Sequence, residues 1–128
     1  MGQIVGIDLG TTNSVVGVIE AGRPIVIANS EGSRTTPSIV GFTKDKEIVI
    51  GDQARRQLVL NPKNTFYNLK RFIGSDWDEL DENSISVPYN VKANNNGSVR
   101  VLSPNTEREY APEELVSSLI RKLINDAE

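Results

Sequence analysis

Residues 8–14, Asp-Leu-Gly-Thr-Thr-Asn-Ser, combine the residue types that can hold a phosphate group. Backbone N–H groups in a tight turn and threonine hydroxyls can surround phosphate oxygens, and a carboxylate such as that of Asp8 can hold Mg²⁺ or its bound waters. The alternative is a polar hairpin turn without a ligand, because Gly, Thr, Asn and Ser are common turn residues. The chain contains neither a Walker A loop nor a Rossmann dinucleotide motif. The segment therefore resembles half of a phosphate clamp of a different kind.

Lys70 and Arg71 form a second candidate, a cationic pair between apolar and aromatic neighbours. A positive charge held there could stabilise the charge that develops on a phosphoryl group during its transfer. The alternative is that one or both residues are surface cations with buried aliphatic stems. The residues alone favour this second interpretation.

The composition restricts the other chemistry that the chain could perform. It has no Cys and no His, which excludes disulfides, thiolate nucleophiles, imidazole bases and the usual zinc sites. The net charge is -3 and the Lys and Arg residues are not clustered, so nucleic acid is not an expected partner. The N-terminus lacks a secretory pattern, and no segment resembles a membrane span. We therefore expect a cytoplasmic location, or the plastid stroma if the protein is plastid-encoded.

Three runs of apolar and β-branched residues open the chain and predict a β-meander. The runs cover residues 4–9, 15–19 and 24–28, with a Gly and Thr turn at 10–13 and an Ala-Gly turn at 21–23. Further strands are predicted at residues 38–42 and 48–50. The candidate phosphate-binding residues thus fall on the turn of the first hairpin.

The remaining elements are two helices and a second hairpin. Asp52 is predicted to cap a short helix over residues 53–58, and Asn96 and Gly97 are predicted to form the turn between strands 91–93 and 99–102. The last helix should begin at Pro112, with acidic residues in its first turn, and extend for about 24 Å. Its apolar face is predicted to consist of Leu115, Val116, Leu119, Ile120, Leu123 and Ile124.

The chain resembles the heat-shock protein 70 family, DnaK type, along essentially its whole length. Four blocks carry the resemblance: VGIDLGTTNS at 5–14, ANSEGSRTTPS at 28–38, NPKNTFYNLKRFIG at 61–74 and YAPEELVSSLIRKL at 110–123. The first block would also suit actin and sugar kinases, which share a similar phosphate hairpin, whereas the second and third narrow the resemblance to the chaperones. Residues 91–115 resemble cyanobacterial or plastid members most.

The resemblance implies a role for each residue of the first block that matches the family's motif. Asp8 would hold magnesium through water. Thr11, Thr12 and Asn13 would line the β- and γ-phosphates, and Gly10 would allow close approach of the backbone.

The resemblance also implies a catalytic role for the cationic pair. Lys70 would be the catalytic lysine that positions the γ-phosphate and the attacking water, and Arg71 would support nearby contacts. ATP or ADP and Mg²⁺ would be the cofactors of an ATPase coupled to the capture of unfolded polypeptide. J-domain cochaperones and nucleotide-exchange factors would be its partners.

The fold implied by the family is α/β: the first half of an actin-like, ribonuclease-H-like ATPase subdomain with an inserted mixed α/β lobe. Residues 1–38 and 110–128 would belong to the actin-like subdomain, and residues 39–109 would form the inserted lobe that holds Lys70 over the phosphate site. The second ATPase lobe and the peptide-binding domain would follow residue 128.

The chain by itself is therefore expected to bind ATP weakly and to be inactive. Its first strand would lack one neighbour, so we also expect self-association through that edge. Two alternatives remain open at this point. One is a stand-alone interaction or structural module with a vestigial phosphate site, and the other is a sugar-kinase-like phosphotransferase.

Overall fold

The structure is a computed structural model that describes residues 4–83 and 85–127. Within these residues the chain forms three antiparallel sheets, two α-helices and three short 3₁₀ helices. No helix of this described part is long and apolar enough to cross a membrane.

The first sheet carries the predicted meander. Its strand order is β1-β2-β3, so β1 lies at one edge, and a short strand β4 also pairs with β2. The turn between β2 and β3 places Ala21 and Gly22 in the left-handed region, at φ 51° and 77°, as the predicted Ala-Gly turn requires. The sequence does not predict the strand β4. A proline cannot donate a hydrogen bond to a neighbouring strand, so Pro37 argues against a strand there except at the edge of a sheet. The bounds are Val5–Leu9 (β1), Asn13–Glu20 (β2), Arg23–Val26 (β3) and Thr36–Pro37 (β4).

The second sheet is assembled from short strands in the order β6-β5-β7, namely Val40–Phe42 (β5), Ile48–Ile50 (β6) and Thr65–Phe66 (β7). The short helix α1 follows β6 and spans Asp52–Arg56. Its N-cap is Gly51 at φ 74°, so the prediction that Asp52 caps this helix is wrong. Asp52 is the first helical residue instead, and its carboxylate accepts a hydrogen bond from Arg55 at 2.7 Å because the two lie one turn apart.

The third sheet has the order β10-β9-β8, with strands Asn90–Ala93 (β8), Val99–Ser103 (β9) and Arg108–Tyr110 (β10). The predicted turn between β8 and β9 is confirmed. Gly97 has φ 85° and its N–H donates to the carbonyl of Asn94 at 3.0 Å. The 3₁₀ helix Pro62–Asn64 directly precedes β7 of the second sheet, and the 3₁₀ helices Leu69–Arg71 and Trp77–Glu79 connect that sheet to the third.

The helix α2, Pro112–Ala127, begins at the predicted proline with Glu113 and Glu114 in its first turn. It packs against strands of all three sheets. The predicted apolar face is confirmed for its buried members, Leu115, Val116, Leu119 and Leu123. Ile124 is 41% exposed, contrary to the prediction, because at about 100° per residue it lies roughly 180° around the helix from Leu115 and roughly 140° from Leu119.

One hydrophobic core connects the three sheets with α2. At its centre Phe66 contacts Tyr89 edge to face, with ring centroids 5.0 Å apart, and Phe42 stacks on Tyr110 at 4.8 Å. Burial raises the pKa of Tyr89, whose hydroxyl donates to a backbone carbonyl. This core spans both parts of the predicted subdomain division, which itself stays a prediction.

Candidate functional site

The turn between β1 and β2 covers residues 10–12, and the predicted last turn residue, Asn13, is the first residue of β2. We call residues 10–13 together the 10–13 turn, and it presents its polar residues to solvent. Thr11, Thr12 and Asn13 are all exposed. A Cβ atom on Gly10 would lie 2.3 Å from the carbonyl oxygen of Asn13, closer than real Cβ contacts come. The turn can therefore close in this shape only with glycine at position 10.

The 10–13 turn is held from behind by a serine that sequence reasoning did not select. The Ser38 hydroxyl donates to the carbonyl of Gly10 at 2.8 Å, and the Ser38 N–H donates to the carbonyl of Thr12 at 2.9 Å. Ser14 shares a further hydrogen bond of 2.8 Å with the Ser38 hydroxyl. The strand Thr36–Pro37 delivers Ser38 to this place by pairing with the start of β2. The only sequence signal for Ser38 was its membership of the second family-like block.

The loop before β4 is organised around the buried side chain of Asn29. Its amide nitrogen donates to the carbonyl of Thr35 and to the hydroxyl of Thr36, both at 3.1 Å. Its amide oxygen accepts hydrogen bonds from the N–H groups of Glu31 at 3.0 Å and Ser33 at 2.8 Å. Every polar group of this amide is thus used to set the path of the loop toward the 10–13 turn.

Helix α2 contacts the same loop through Lys122. The ammonium lies 3.2 Å from the carboxylate of Glu31 and 2.6 Å from that of Asp126. Burial acts to lower the pKa of Lys122, but the hydrogen bonds and charges of Asp126 and Glu31 outweigh it, so the pKa is raised. The Ser30 hydroxyl, and after it Lys122, lower the pKa of Glu31 against the opposing effect of burial. Helix α2 is thereby tied to the loop that supports the turn.

Lys70 lies beside the 10–13 turn. It belongs to the 3₁₀ helix Leu69–Arg71, which follows Asn68 in the left-handed conformation at φ 56°. Leu69 and Phe72 are 4% and 1% exposed and anchor this segment in the core. The Lys70 ammonium donates to the carbonyl of Leu9 at 3.0 Å, across 61 positions of sequence. The predicted cation Lys70 and the predicted phosphate-binding segment 8–14 therefore meet in space.

Arg71 is directed elsewhere. Its guanidinium Nη1 donates to the backbone carbonyl of Asn83 at 3.4 Å, on the segment that follows the helix Trp77–Glu79. This contact does not involve the 10–13 turn. A supporting role for Arg71 at the phosphate site stays a prediction.

Asp8 lies on β1 opposite Val15 and is exposed. Because side chains alternate along a strand, it lies on the other face of the sheet from Ile7 and Leu9, which pack against the core. Over residues 4–83 and 85–127 there is no group of three or more acidic residues placed to hold a metal ion. Asp8 can therefore offer a single carboxylate to a cation.

The space enclosed between Lys70 and the 10–13 turn is small. A cavity of about 10 Å³ lies between Gly10, Thr11, Ser38 and Lys70 and the apolar side chains beneath them. Clefts of about 400 and 310 Å³ lie beside α2 and the second sheet, and neither contains a predicted site residue. We place the candidate site at the smaller space, because the 10–13 turn and the Lys70 cation meet there. A nucleotide is too large for this space and would lie over the surface above it.

Comparison with known proteins agrees with the motif blocks. The model of the Hsp70 protein family matches residues 4–128. A chaperone protein dnaK1 of Prochlorococcus marinus subsp. pastoris is 90% identical over the whole chain, and a second dnaK1, from another strain of Prochlorococcus marinus, is 73% identical over the same length. A chaperone protein dnaK3 of Thermosynechococcus vestitus is 58% identical over 99% of the chain. The chain spans 19% of the length of each of these relatives. The chain is a member of the HSP70 family, and its α/β fold is part of the actin-like ATPase domain of that family.

Proposed function

We propose that this chain forms the phosphate-holding half of the nucleotide site in an ATP-driven molecular chaperone. The observation that carries the proposal is the hydrogen bond from the Lys70 ammonium to the carbonyl of Leu9 at 3.0 Å. It brings a cation from a distant part of the sequence to the residue that precedes the 10–13 turn. A cation beside a turn of exposed threonine and asparagine residues suits a phosphate chain.

The residues of the turn would bind the β- and γ-phosphates. Thr11, Thr12 and Asn13 are exposed and can donate from backbone N–H groups and from their side chains. Gly10 has no Cβ, so the backbone can fold tightly enough to bring these donors together. Binding would be strongest to the polyphosphate and weak to the nucleoside.

Lys70 would act on the γ-phosphate by neutralising the charge that develops when water attacks it. Arg71 would support this region without contacting the turn directly. Asp8 offers one carboxylate, and its side chain is exposed. One carboxylate suits Mg²⁺, because this ion keeps several bound waters and takes other ligands from substrate phosphates. Bound there, Mg²⁺ would neutralise phosphate charge.

The names of the relatives support the chaperone activity. Each of the three relatives described above is named a chaperone protein, and the family match extends over nearly the whole chain. We therefore favour the ATP-driven chaperone over a sugar-kinase-like enzyme or a vestigial module. Unfolded polypeptide would be its substrate, and J-domain cochaperones and nucleotide-exchange factors its partners. The cyanobacterial relatives support a cytoplasmic location.

The experiment that tests the role of Lys70 uses this chain continued with the remaining sequence of the 90% identical relative. Lys70→Ala should lower kcat for ATP hydrolysis about 10²-fold or more, because it removes charge stabilisation in the transition state. Nucleotide affinity should change only a few-fold, because the ammonium's best partner is the transferring phosphoryl group. Single-turnover hydrolysis and equilibrium ATP binding measure the two quantities.

Lys63 provides a matched control, since it is an exposed lysine in another 3₁₀ helix, Pro62–Asn64. Lys63→Ala should leave both quantities unchanged. Equal losses of affinity and kcat in Lys70→Ala would make Lys70 a binding residue and contradict its catalytic role. No loss in either quantity would make it a surface cation.

A further inference from the structure

Two serine hydroxyls lie directly behind the 10–13 turn, on its buried side. Ser14 is fully buried and Ser38 is 7% exposed. Their oxygens are 2.8 Å apart, and the Ser38 oxygen is also 2.8 Å from the carbonyl oxygen of Gly10. Both hydroxyls are already committed to these hydrogen bonds, so their effect on a ligand passes through the backbone of the turn.

The directions of these hydrogen bonds follow from the number of hydrogens. A carbonyl oxygen can only accept, so Ser38 must give its single hydroxyl hydrogen to Gly10. Ser14 must then be the donor to Ser38. The result is a chain from Ser14 through Ser38 to Gly10, in which each bond polarises the next.

The planarity of the peptide bond converts this chain into an orientation of the turn. In a trans peptide the C=O and the following N–H point in opposite directions, and no cis peptide bond occurs among the described residues. With the Gly10 carbonyl held toward Ser38, the N–H of Thr11 must point away from the buried serines. A second hydrogen bond, from the Ser38 N–H to the Thr12 carbonyl at 2.9 Å, fixes the direction of that carbonyl, two residues after Gly10.

We propose that Ser38, supported by Ser14, is a positioning residue that turns the Thr11 N–H toward a phosphate oxygen. This inference rests on the proposed nucleotide site. The Ser38 hydroxyl acts on the ligand through the Gly10 carbonyl. Its loss should therefore weaken only the binding of the β- and γ-phosphates that the turn would hold.

The test uses Ser38→Ala, Ser14→Ala and a matched control in the chain continued with the remaining sequence of the 90% identical relative. The control is Ser103→Ala, because Ser103 is also fully buried and donates to the Asn64 side chain at 2.8 Å, but lies in the third sheet. Thermal unfolding of all three variants measures the structural cost. Titration with ADP and with AMP measures affinity with and without the β-phosphate.

Ser38→Ala should bind ADP about tenfold more weakly, the upper range for the loss of one neutral hydrogen bond. Ser14→Ala should weaken ADP binding about two- to threefold, because the bond from Ser38 to Gly10 survives and only its polarisation is lost. Ser103→Ala should leave ADP affinity within about twofold of the parent protein despite a similar loss of stability. AMP affinity should stay constant in all three variants.

The positioning role is overturned if Ser38→Ala and Ser103→Ala bind ADP equally well, or if Ser38→Ala weakens AMP as much as ADP. In either case Ser38 would be a structural hydroxyl only. Failure of the unsubstituted protein to bind ADP would instead overturn the proposed function, and this inference with it.

Discussion

Replacing Gly10 by Ala should destabilise the first hairpin because the added methyl group has no space. An ideal Cβ there lies 2.3 Å from the carbonyl oxygen of Asn13 and 3.5 Å from its carbonyl carbon. To reach an ordinary contact, that backbone oxygen must move by roughly 1 Å, and overpacking of this kind costs about 1–3 kcal/mol. Asn13 cannot move freely, since it is paired with Pro37 in β4.

Gly6, on the same strand, gives the matched control. A Cβ at Gly6 meets nothing within 4 Å, and its φ is not positive. Gly6→Ala should therefore be neutral or stabilise the chain by up to about 1 kcal/mol, since Ala reduces the entropy of the unfolded state. Both substitutions add one methyl group, and their effects on the free energy of unfolding should differ by about 1–4 kcal/mol.

Equilibrium urea unfolding of the 128-residue chain measures both free energies, with the fluorescence of Trp77, its single tryptophan, as the probe. Far-UV circular dichroism should give the same transition if the chain unfolds in two states. Equal unfolding free energies for Gly6→Ala and Gly10→Ala would refute the close approach of Gly10 to Asn13, and with it the shape of the turn on which the proposed site depends.

Two further predictions concern α2 and the loop that it supports. Leu119→Ala should lower the free energy of unfolding by about 2–5 kcal/mol, whereas Ile124→Ala should cost less than about 1 kcal/mol, because Leu119 is 2% exposed and Ile124 is 41% exposed. The same urea experiment checks this pair, and similar losses would show that the two positions are buried alike. Glu31→Gln should cost less than about 1 kcal/mol at pH 7, since the pair with Lys122 is partly exposed. Because the pKa of Glu31 is lowered from its ordinary value of 4.5, the carboxylate contributes stability above pH 4.5, and this contribution is lost as the pH falls through the lowered pKa. Unfolding curves of the Glu31→Gln variant and the parent chain should therefore converge at low pH, and a difference that persists or grows there would contradict the assigned pKa direction.

Local features of the fold were accessible from the sequence because they depend on neighbouring residues. The alternation of apolar residues predicts β1 to β3. The turns at Ala21-Gly22 and Asn96-Gly97 are predicted from their residue types, and Ala21, Gly22 and Gly97 adopt the left-handed conformation there. Pro112 and the spacing of apolar residues after it predict α2. Two local features were not predicted, each for a physical reason. Gly51 caps α1 with a positive φ, and Thr36–Pro37 forms a strand only because β2 lies beside it to pair with.

The sequence by itself determined the family, the residue types of the site and the position of the 10–13 turn, because each is written in contiguous residues. The tertiary structure decided which of them meet. It places Lys70 on Leu9 across 61 positions, Ser38 on Gly10 across 28 and Lys122 on Glu31 across 91, and it turns Arg71 toward Asn83. No local pattern predicts these contacts, because they form only when the aromatic core and α2 bring distant segments together.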